Sequence, residues 1–268
     1  MKKCRLCEGT GLIFDRNIEA GSVGELRVCD CVENQCACEG IPPYQVFGKK
    51  SVHSWCTCRD TRFKLAATKK AFREAQIPRK YLWKFREDFK KVSNKANQLL
   101  GIVGTIRGKS PDQKWKDGFY FWGKSGTGKT LLACIILQEL MLKYGTGGRF
   151  VDLSRQFFQR LRNSYDVSNE SYGQSGRILD ELILAPFIVI DDFGIQRNSE
   201  WESEMLYNLV DSRYSEERPT IITSNLPLEK FKNIAHGRIF SRILEMCKLI
   251  EFDLPDYREK YMQKNVLS

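Results

Sequence analysis

Eight consecutive residues constrain this chain more than anything else in it: Gly123-Lys124-Ser125-Gly126-Thr127-Gly128-Lys129-Thr130. They follow Phe119–Trp122, an apolar and aromatic run that reads as a buried strand. They lead into Lys129–Lys143, whose apolar residues recur at helical spacing. A strand, a GxxxxGK[ST] loop and a helix in that order make a P-loop. The chemistry dictates the residue types. Gly123, Gly126 and Gly128 let backbone N–H groups approach phosphate oxygens, with Lys124, Ser125 and Thr127 completing the wrap. Lys129 neutralises the β/γ oxygens, and the Thr130 hydroxyl is a ligand for Mg²⁺. The expectation is an α/β ATPase that binds ATP and Mg²⁺ beyond the carboxyl ends of a parallel sheet.

Further polar residues fall where such a site needs them. A second strand, Pro186–Ile190, ends in Asp191-Asp192, and carboxylates at a parallel strand's carboxyl end lie in the ligand crevice. Asp191 is expected to hold Mg²⁺ through its water shell, and Asp192 to orient or activate the attacking water. Aspartate at the second position is shorter than glutamate and points to modest turnover. A third strand, Pro219–Thr223, runs into Ser224-Asn225, which places Asn225 to position the same water. Arg238 and Arg242 are four apart and share a helix face; either is a candidate arginine finger for a neighbouring subunit's γ-phosphate. Cys134 and Cys247 stand alone in helical runs and read as small buried hydrophobes.

The chain's 268 residues suffice for one α/β domain and a smaller module. Its net charge of +10 is uneven: residues 1–122 hold 24 Lys/Arg against 13 Asp/Glu, and the remainder 19 against 20. Arg62–Lys95 alone carries 12 basic and 3 acidic side chains. Such a stretch is either a solvated helix face or the footprint of a polyphosphate partner, and charge alone leaves both open. No apolar run approaches the roughly 18 residues of a membrane span. The opening MKKCRLCEGT has no apolar core of a signal peptide, so a cytoplasmic location is expected.

Eight of the ten cysteines lie within the first 58 residues, as Cys4/Cys7, Cys29/Cys31, Cys36/Cys38 and Cys56/Cys58. In a reducing compartment, four thiol pairs match two tetrahedral Zn²⁺ sites better than disulfides. A segment this short buries little apolar surface, so metal would supply its folding energy. CRLCEGTG, with Gly9 and Gly11 after the thiols, resembles one CxxCxGxG unit of the DnaJ zinc region. Sequential pairing would join the first two pairs and the last two; nested pairing would join the outer pairs and the middle pairs. The five-residue step from Cys31 to Cys36 and the likeness to DnaJ favour the nested arrangement.

From about Ile77 to Arg258 the chain resembles the DnaC/DnaI/IstB group of AAA+ ATPases. The resemblance rests on IPRKYL (77–82), GKSGTGKT (123–130), FIVIDDFG (187–194), SRYSEERPTIITSN (212–225), GRIFSRILEMC (237–247) and DYR (256–258). It implies a five-stranded parallel sheet without a C-terminal lid, ATP-dependent self-assembly and contact with single-stranded DNA. It also implies Arg242 as the finger acting in trans and Arg258 as a sensor-2-like arginine. DnaI-like loaders carry a zinc-binding N-terminal domain that docks on the replicative helicase, whereas IstB-type transposition helpers generally do not. The expected organisation is a zinc-binding partner module at 1–60, a basic helical linker at 61–98 and an AAA+ domain at 99–268. The implied function is delivery of a hexameric, DnaB-like helicase to single-stranded DNA. The alternatives are an IstB-type helper or an ATP-binding adaptor with little turnover. For the DNA itself, Arg149, Arg155, Arg160 and Arg162 surround Phe157 and Phe158, a pair that either stacks on bases or belongs to the core.

Overall fold

The computed structural model describes residues 4–7, 9–16, 24–47, 53–89, 93–110, 112–153, 157–168, 172–194 and 199–259. The chain divides into two compact units, Met1–Arg73 and Glu74–Ser268.

The first unit is built from short elements: β1 (Leu12–Asp15), β2 (Glu25–Val28), α1 (Asp30–Glu33), β3 (Gln45–Phe47), β4 (His53–Trp55) and α2 (Arg59–Glu74). β1 and β2 pair antiparallel with Leu12 opposite Val28, and β3 and β4 pair antiparallel with Gln45 opposite Trp55. Strands of three or four residues bury little by themselves. Apart from cysteines, the only apolar side chains buried among the described residues here are Leu26, Val28 and Phe72. The basic helix α2 is tied down electrostatically, Arg62 to Glu33 at 2.6 Å and Lys69 to Glu25. The stretch read as a linker, 61–98, is thus divided: α2 up to Arg73 lies in the first unit, and its last residue, Glu74, lies with the following residues in the second.

The second unit runs α3 (Asn94–Gly108), β5 (Gly118–Trp122), α4 (Lys129–Tyr144), β6 (Gly148–Asp152), α5 (Phe158–Asn163), α6 (Ser175–Leu184), β7 (Phe187–Phe193), α7 (Glu200–Ser215), β8 (Thr220–Ser224), α8 (Arg238–Met246) and β9 (Cys247–Glu251). The five strands form one sheet in the order β6-β7-β8-β5-β9, and every pairing is parallel. Parallel sheets covered on both faces need continuous apolar strands. β5 supplies Phe119, Tyr120 and Phe121, and β7 supplies Ile188, Val189 and Ile190, all buried. β5 sits between β8 and β9, so the strand order reverses beside it and leaves a crevice at the carboxyl ends. Ser93 caps α3 and Ser199 caps α7, each accepting the N–H three residues on at 3.1 Å. Arg107 on α3 grips Glu139 on α4 side-on, its Nε and Nη2 each donating to one carboxylate oxygen. Cys134 and Cys247 are both buried. No helix among the described residues is long and apolar enough to cross a membrane.

Candidate functional site

The loop between β5 and α4 wraps as its glycines allow. Gly126 and Gly128 have φ of 76° and 95°, in the left-handed region that side chains resist. A Cβ at Gly126 would fall 2.0 Å from the Asp256 carboxylate, and one at Gly128 would fall 3.2 Å from the Phe89 ring. The loop is therefore cradled on both sides. Tyr257 donates its N–H to the Gly126 carbonyl at 3.1 Å. The Lys129 ammonium curls over the loop and donates to the carbonyls of Gly123 (2.9 Å) and Lys124 (2.7 Å) and to Asn225 Oδ1 (3.0 Å). Burial lowers its pKa, against the pull of the Asp192 and Asp191 carboxylates, and Arg258 lowers it further. A partly desolvated ammonium with anions nearby is well placed to meet phosphate.

Asp191 and Asp192 would face opposite sides of a regular strand. They do not, because β7 bulges there: Ile190 pairs with Ile222 and Phe193 with Ser224, leaving two residues against one. Asp192 takes φ 58°, a conformation aspartate tolerates better than most residues. The bulge re-aims a side chain, and both carboxylates end near the loop. Asp191 Oδ1 accepts from Thr130 Oγ1 at 2.8 Å and from Thr223 Oγ1 at 2.5 Å. Thr223 in turn accepts the Asp192 N–H at 3.2 Å. Burial pushes the Asp191 carboxyl up to about 6, although the Thr223 and Thr130 hydroxyls hold it down. Thr223 was not legible from sequence, since it reads as one more β-branched strand residue. Ser224 is inward-facing and structural, donating to the Phe193 carbonyl at 2.7 Å, while Asn225 is exposed beside Lys129.

These groups open onto a cavity of about 400 Å³. Lys129, Thr130, Asp192 and Asn225 line it together with three aromatic side chains, Tyr81, Phe89 and Tyr257. Arg258 lines it too, 3.5 Å from Ser125 Oγ. The loop, the lysine, the hydroxyl–carboxylate pair and the aromatic lining fit a nucleoside triphosphate with Mg²⁺.

The other sequence candidates lie elsewhere. Arg242 is not among the described residues lining that cavity; its Nε donates to Asp211 at 2.8 Å and its guanidinium lies 4.9 Å over the Tyr214 ring. Arg238 is exposed and sits over Tyr207 at 5.7 Å. The base-stacking reading of Phe157 and Phe158 is overturned: they are 1% and 2% exposed and pack in the core, their rings 5.0 Å apart. Burial of two phenyl rings in that core is worth more than leaving them in water. Arg160 and Arg162 pair with Glu181 and Glu202, and Arg149 donates to the Gly148 carbonyl. Arg155 lies outside the described residues.

In the first unit the eight cysteines form two four-sulfur clusters, Cys4/Cys7/Cys29/Cys31 and Cys36/Cys38/Cys56/Cys58, each with all its sulfurs within 4.8 Å. This is sequential pairing, not the nested arrangement that the Cys31–Cys36 step favours. Strand pairing decides it. Val28 opposite Leu12 carries Cys29 back to the first pair, with the Cys29 N–H on the Gly11 carbonyl. β3–β4 likewise returns Cys56 and Cys58 to Cys36 and Cys38. Sulfur separations are 3.6 and 3.9 Å in the first cluster and 3.4–4.0 Å in the second. A tetrahedral zinc with Zn–S of about 2.3 Å sets S···S edges of about 3.8 Å, so the donor sets fit that ion. Burial opposes the Cys7 thiolate, but the amides of Gly11 and Gly9 outweigh it and bring its pKa to about 7. The Cys58 amide does the same for Cys56, to about 6, against burial.

Comparison with known proteins agrees with this geometry. The model of the IstB-like ATP binding protein family matches residues 103–265. The replicative helicase loader DnaC of Escherichia coli K12 is 29% identical over 147 residues, 54% of this chain and 58% of that protein. The chain thus spans little more than half the length of that curated relative. Among solved structures, the crystal structure of the DnaC helicase loader aligns with a TM-score of 0.56 at 26% identity, covering 65% of this chain and 99% of that one. The crystal structure of DnaI, at 23% identity and a TM-score of 0.55 over 68% of this chain and 94% of that one, shares the fold.

Proposed function

The chain belongs to the DnaC/DnaI/IstB-like family of AAA+ ATP-binding proteins, and from that premise we propose that it is a cytoplasmic ATPase that loads a DnaB-like replicative helicase onto single-stranded DNA. The observation that carries the loader reading over a transposition helper is the separate first unit, with its two four-cysteine clusters.

In this reading Lys129 and the loop amides bind the β- and γ-phosphates, and Thr130 with Asp191 holds Mg²⁺, which neutralises charge developing on the phosphates. Thr130 and Thr223 fix the orientation of Asp191 by donating to one of its oxygens. Asp192 and Asn225 place the attacking water, and Arg258, beside Ser125 of the loop, contributes positive charge to the cavity. Arg242 completes the neighbouring subunit's site, which couples hydrolysis to assembly. The two four-cysteine clusters would hold Zn²⁺, which would supply folding energy for the first unit that meets the helicase, and the basic face of α2 adds a salt-sensitive contribution.

Retention of a hexameric helicase by the full-length zinc-loaded chain tests the proposal, measured at low and moderate salt beside a Cys7→Ser variant. The expected result is helicase capture by the wild type and its loss in the variant, with ATP binding kept by both. Capture of a transposase in place of a helicase replaces the loader with an IstB-type helper. The short Asp192 at the catalytic position supports a second reading, an ATP-binding adaptor. Turnover that stays negligible with single-stranded DNA and helicase present would establish that one.

A further inference from the structure

Helix α4 is almost wholly apolar from Leu131 to Leu137, and Gln138 interrupts that run with no exposed surface at all. A buried primary amide is costly unless its hydrogen-bonding groups are met. Here they are met, and chiefly by a remote segment. Oε1 accepts the Trp83 N–H at 2.6 Å. Nε2 donates to the carbonyls of Tyr81 and Lys84, each at 3.1 Å, and to Cys134 one turn back at 3.1 Å. Residues 81–84 belong to no strand or α-helix, so these bonds stand where regular secondary structure would otherwise satisfy the backbone. Trp83 lies at φ 56°, a conformation a tryptophan keeps only when its surroundings impose it.

That segment contributes to the aromatic lining of the nucleotide cavity. Tyr81 lines it directly. A few residues on, Phe85 N–H donates to Asp88 Oδ2 at 2.8 Å, and this turn delivers Asp88 and Phe89 to the same cavity. One helix thus follows directly from the phosphate loop and, through Gln138, also holds the segment that brings Tyr81 to the cavity. We propose that Gln138 is a positioning residue for the base end of the nucleotide. It sets the distance between the P-loop and the Tyr81–Phe89 segment, so that the purine and ribose are bound only when that turn is clamped. The inference rests on the reading of this cavity as an ATP site, and it assigns Gln138 no contact with ATP.

The test compares two ligands on the full-length protein: ATP, and inorganic triphosphate, which needs only the loop. Gln138→Leu keeps bulk and removes every bond to residues 81–84. Gln138→Glu keeps an acceptor for Trp83 but cannot donate to Tyr81 and Lys84 when ionised. Gln138→Leu is expected to weaken ATP on the order of tenfold and to leave triphosphate affinity unchanged, with Gln138→Glu in between. Tyr81→Ala gives the same selective loss without touching the helix, and keeps the proposal testable should Gln138→Leu misfold. Equal weakening of ATP and triphosphate means that Gln138 serves only the fold, and overturns the proposal. Unchanged ATP affinity in a folded Gln138→Leu overturns it as well. A wild-type chain that binds triphosphate but gains nothing from adenosine removes the ATP reading first, and the role of Gln138 falls with it.

Discussion

The second unit buries Phe119, Tyr120 and Phe121 on β5 and Ile188, Val189 and Ile190 on β7, together with Leu132–Leu137 of α4. The first unit, over its described residues, buries Leu26, Val28, Phe72 and four cysteines. Each fully buried large apolar side chain contributes about 1.5–3 kcal/mol, so the sheet domain holds together by area alone. Among its described residues the first unit has no such reserve, and its eight sulfurs stand where a core would. A domain of the first kind is stable in any ordinary buffer, whereas one of the second kind is folded only as far as its ions are bound. Where the two cysteine clusters hold metal, a surface presented by the first unit is conditional on it, while the nucleotide site is not.

Removing metal should break the comparison most visibly. In excess chelator, amides of residues 4–73 are expected to lose their exchange protection together, while those of 118–251 keep theirs and ATP still binds. Elemental analysis before chelation should give close to two zinc ions per chain. Intact protection of the first unit in strong chelator would contradict the metal-core account.

Next in size is a polar group inside the apolar unit. Arg213 on α7 is fully buried, and its five acceptors are all neutral: Thr220 Oγ1 and the carbonyls of Leu182, Ile183, Ala185 and Pro219. It caps the end of α6 and ties it to β8. Arg213→Ala strands several buried carbonyls, and is expected to cost the second unit about 3–5 kcal/mol in urea unfolding. Zinc content should not change. A loss below about 1 kcal/mol would mean the carbonyls find other donors.

Residues fixed by chemistry at short range were legible in the sequence, and residues fixed by distant partners were not. The P-loop strand and helix, read as 119–122 and 129–143, lie at 118–122 and 129–144, because phosphate binding demands particular residues at set spacing. β7 runs three residues past its predicted end, through Asp191 and Asp192, since its bulge keeps them in the sheet. The cysteine ligands were visible as pairs, but their grouping depends on β1–β2 and β3–β4, which linear spacing does not encode. Arg213 falls within the matching 212–225 segment, where nothing in the sequence singles it out as buried. Gln138 had one signal, a lone amide in an apolar helix face, yet nothing nearby pointed to Trp83, 55 residues away.

A smaller effect sits at the nucleotide site itself. The Asp191 carboxyl is raised from its ordinary 3.8 to about 6, chiefly by burial. A group raised in the folded state stabilises while protonated: the contribution is whole below 3.8 and is lost as pH rises through about 6. At pH 7.5 the nucleotide-free protein therefore carries a penalty of about 3 kcal/mol at most. Asp191→Asn should raise its melting temperature there and make little difference near pH 4. The same variant should gain less stability from Mg²⁺ and ATP than the wild type does. A melting temperature that is lower at pH 7.5 would mean the two threonine hydroxyls depend on the carboxylate charge.

The smallest effect on the isolated chain is expected at Arg242, and it separates folding from assembly. Its ion pair with Asp211 is one-third exposed, and such pairs contribute little to stability. Arg242→Ala should therefore melt with the wild type and bind ATP as well in dilute solution. If Arg242 acts on a neighbour, hydrolysis at high protein concentration should fall sharply. Lys129→Ala fails for the opposite reason, since it has a sound finger and no working loop. Mixed at equal amounts, the two dead variants place a good loop against a good finger at about a quarter of head-to-tail interfaces. ATPase activity should then rise above that of either alone and increase with total protein. If there is no recovery although both variants are folded and exchange subunits, Arg242 does not act in trans. Repeating the mixture with Arg238→Ala then asks whether the exposed arginine over Tyr207 does.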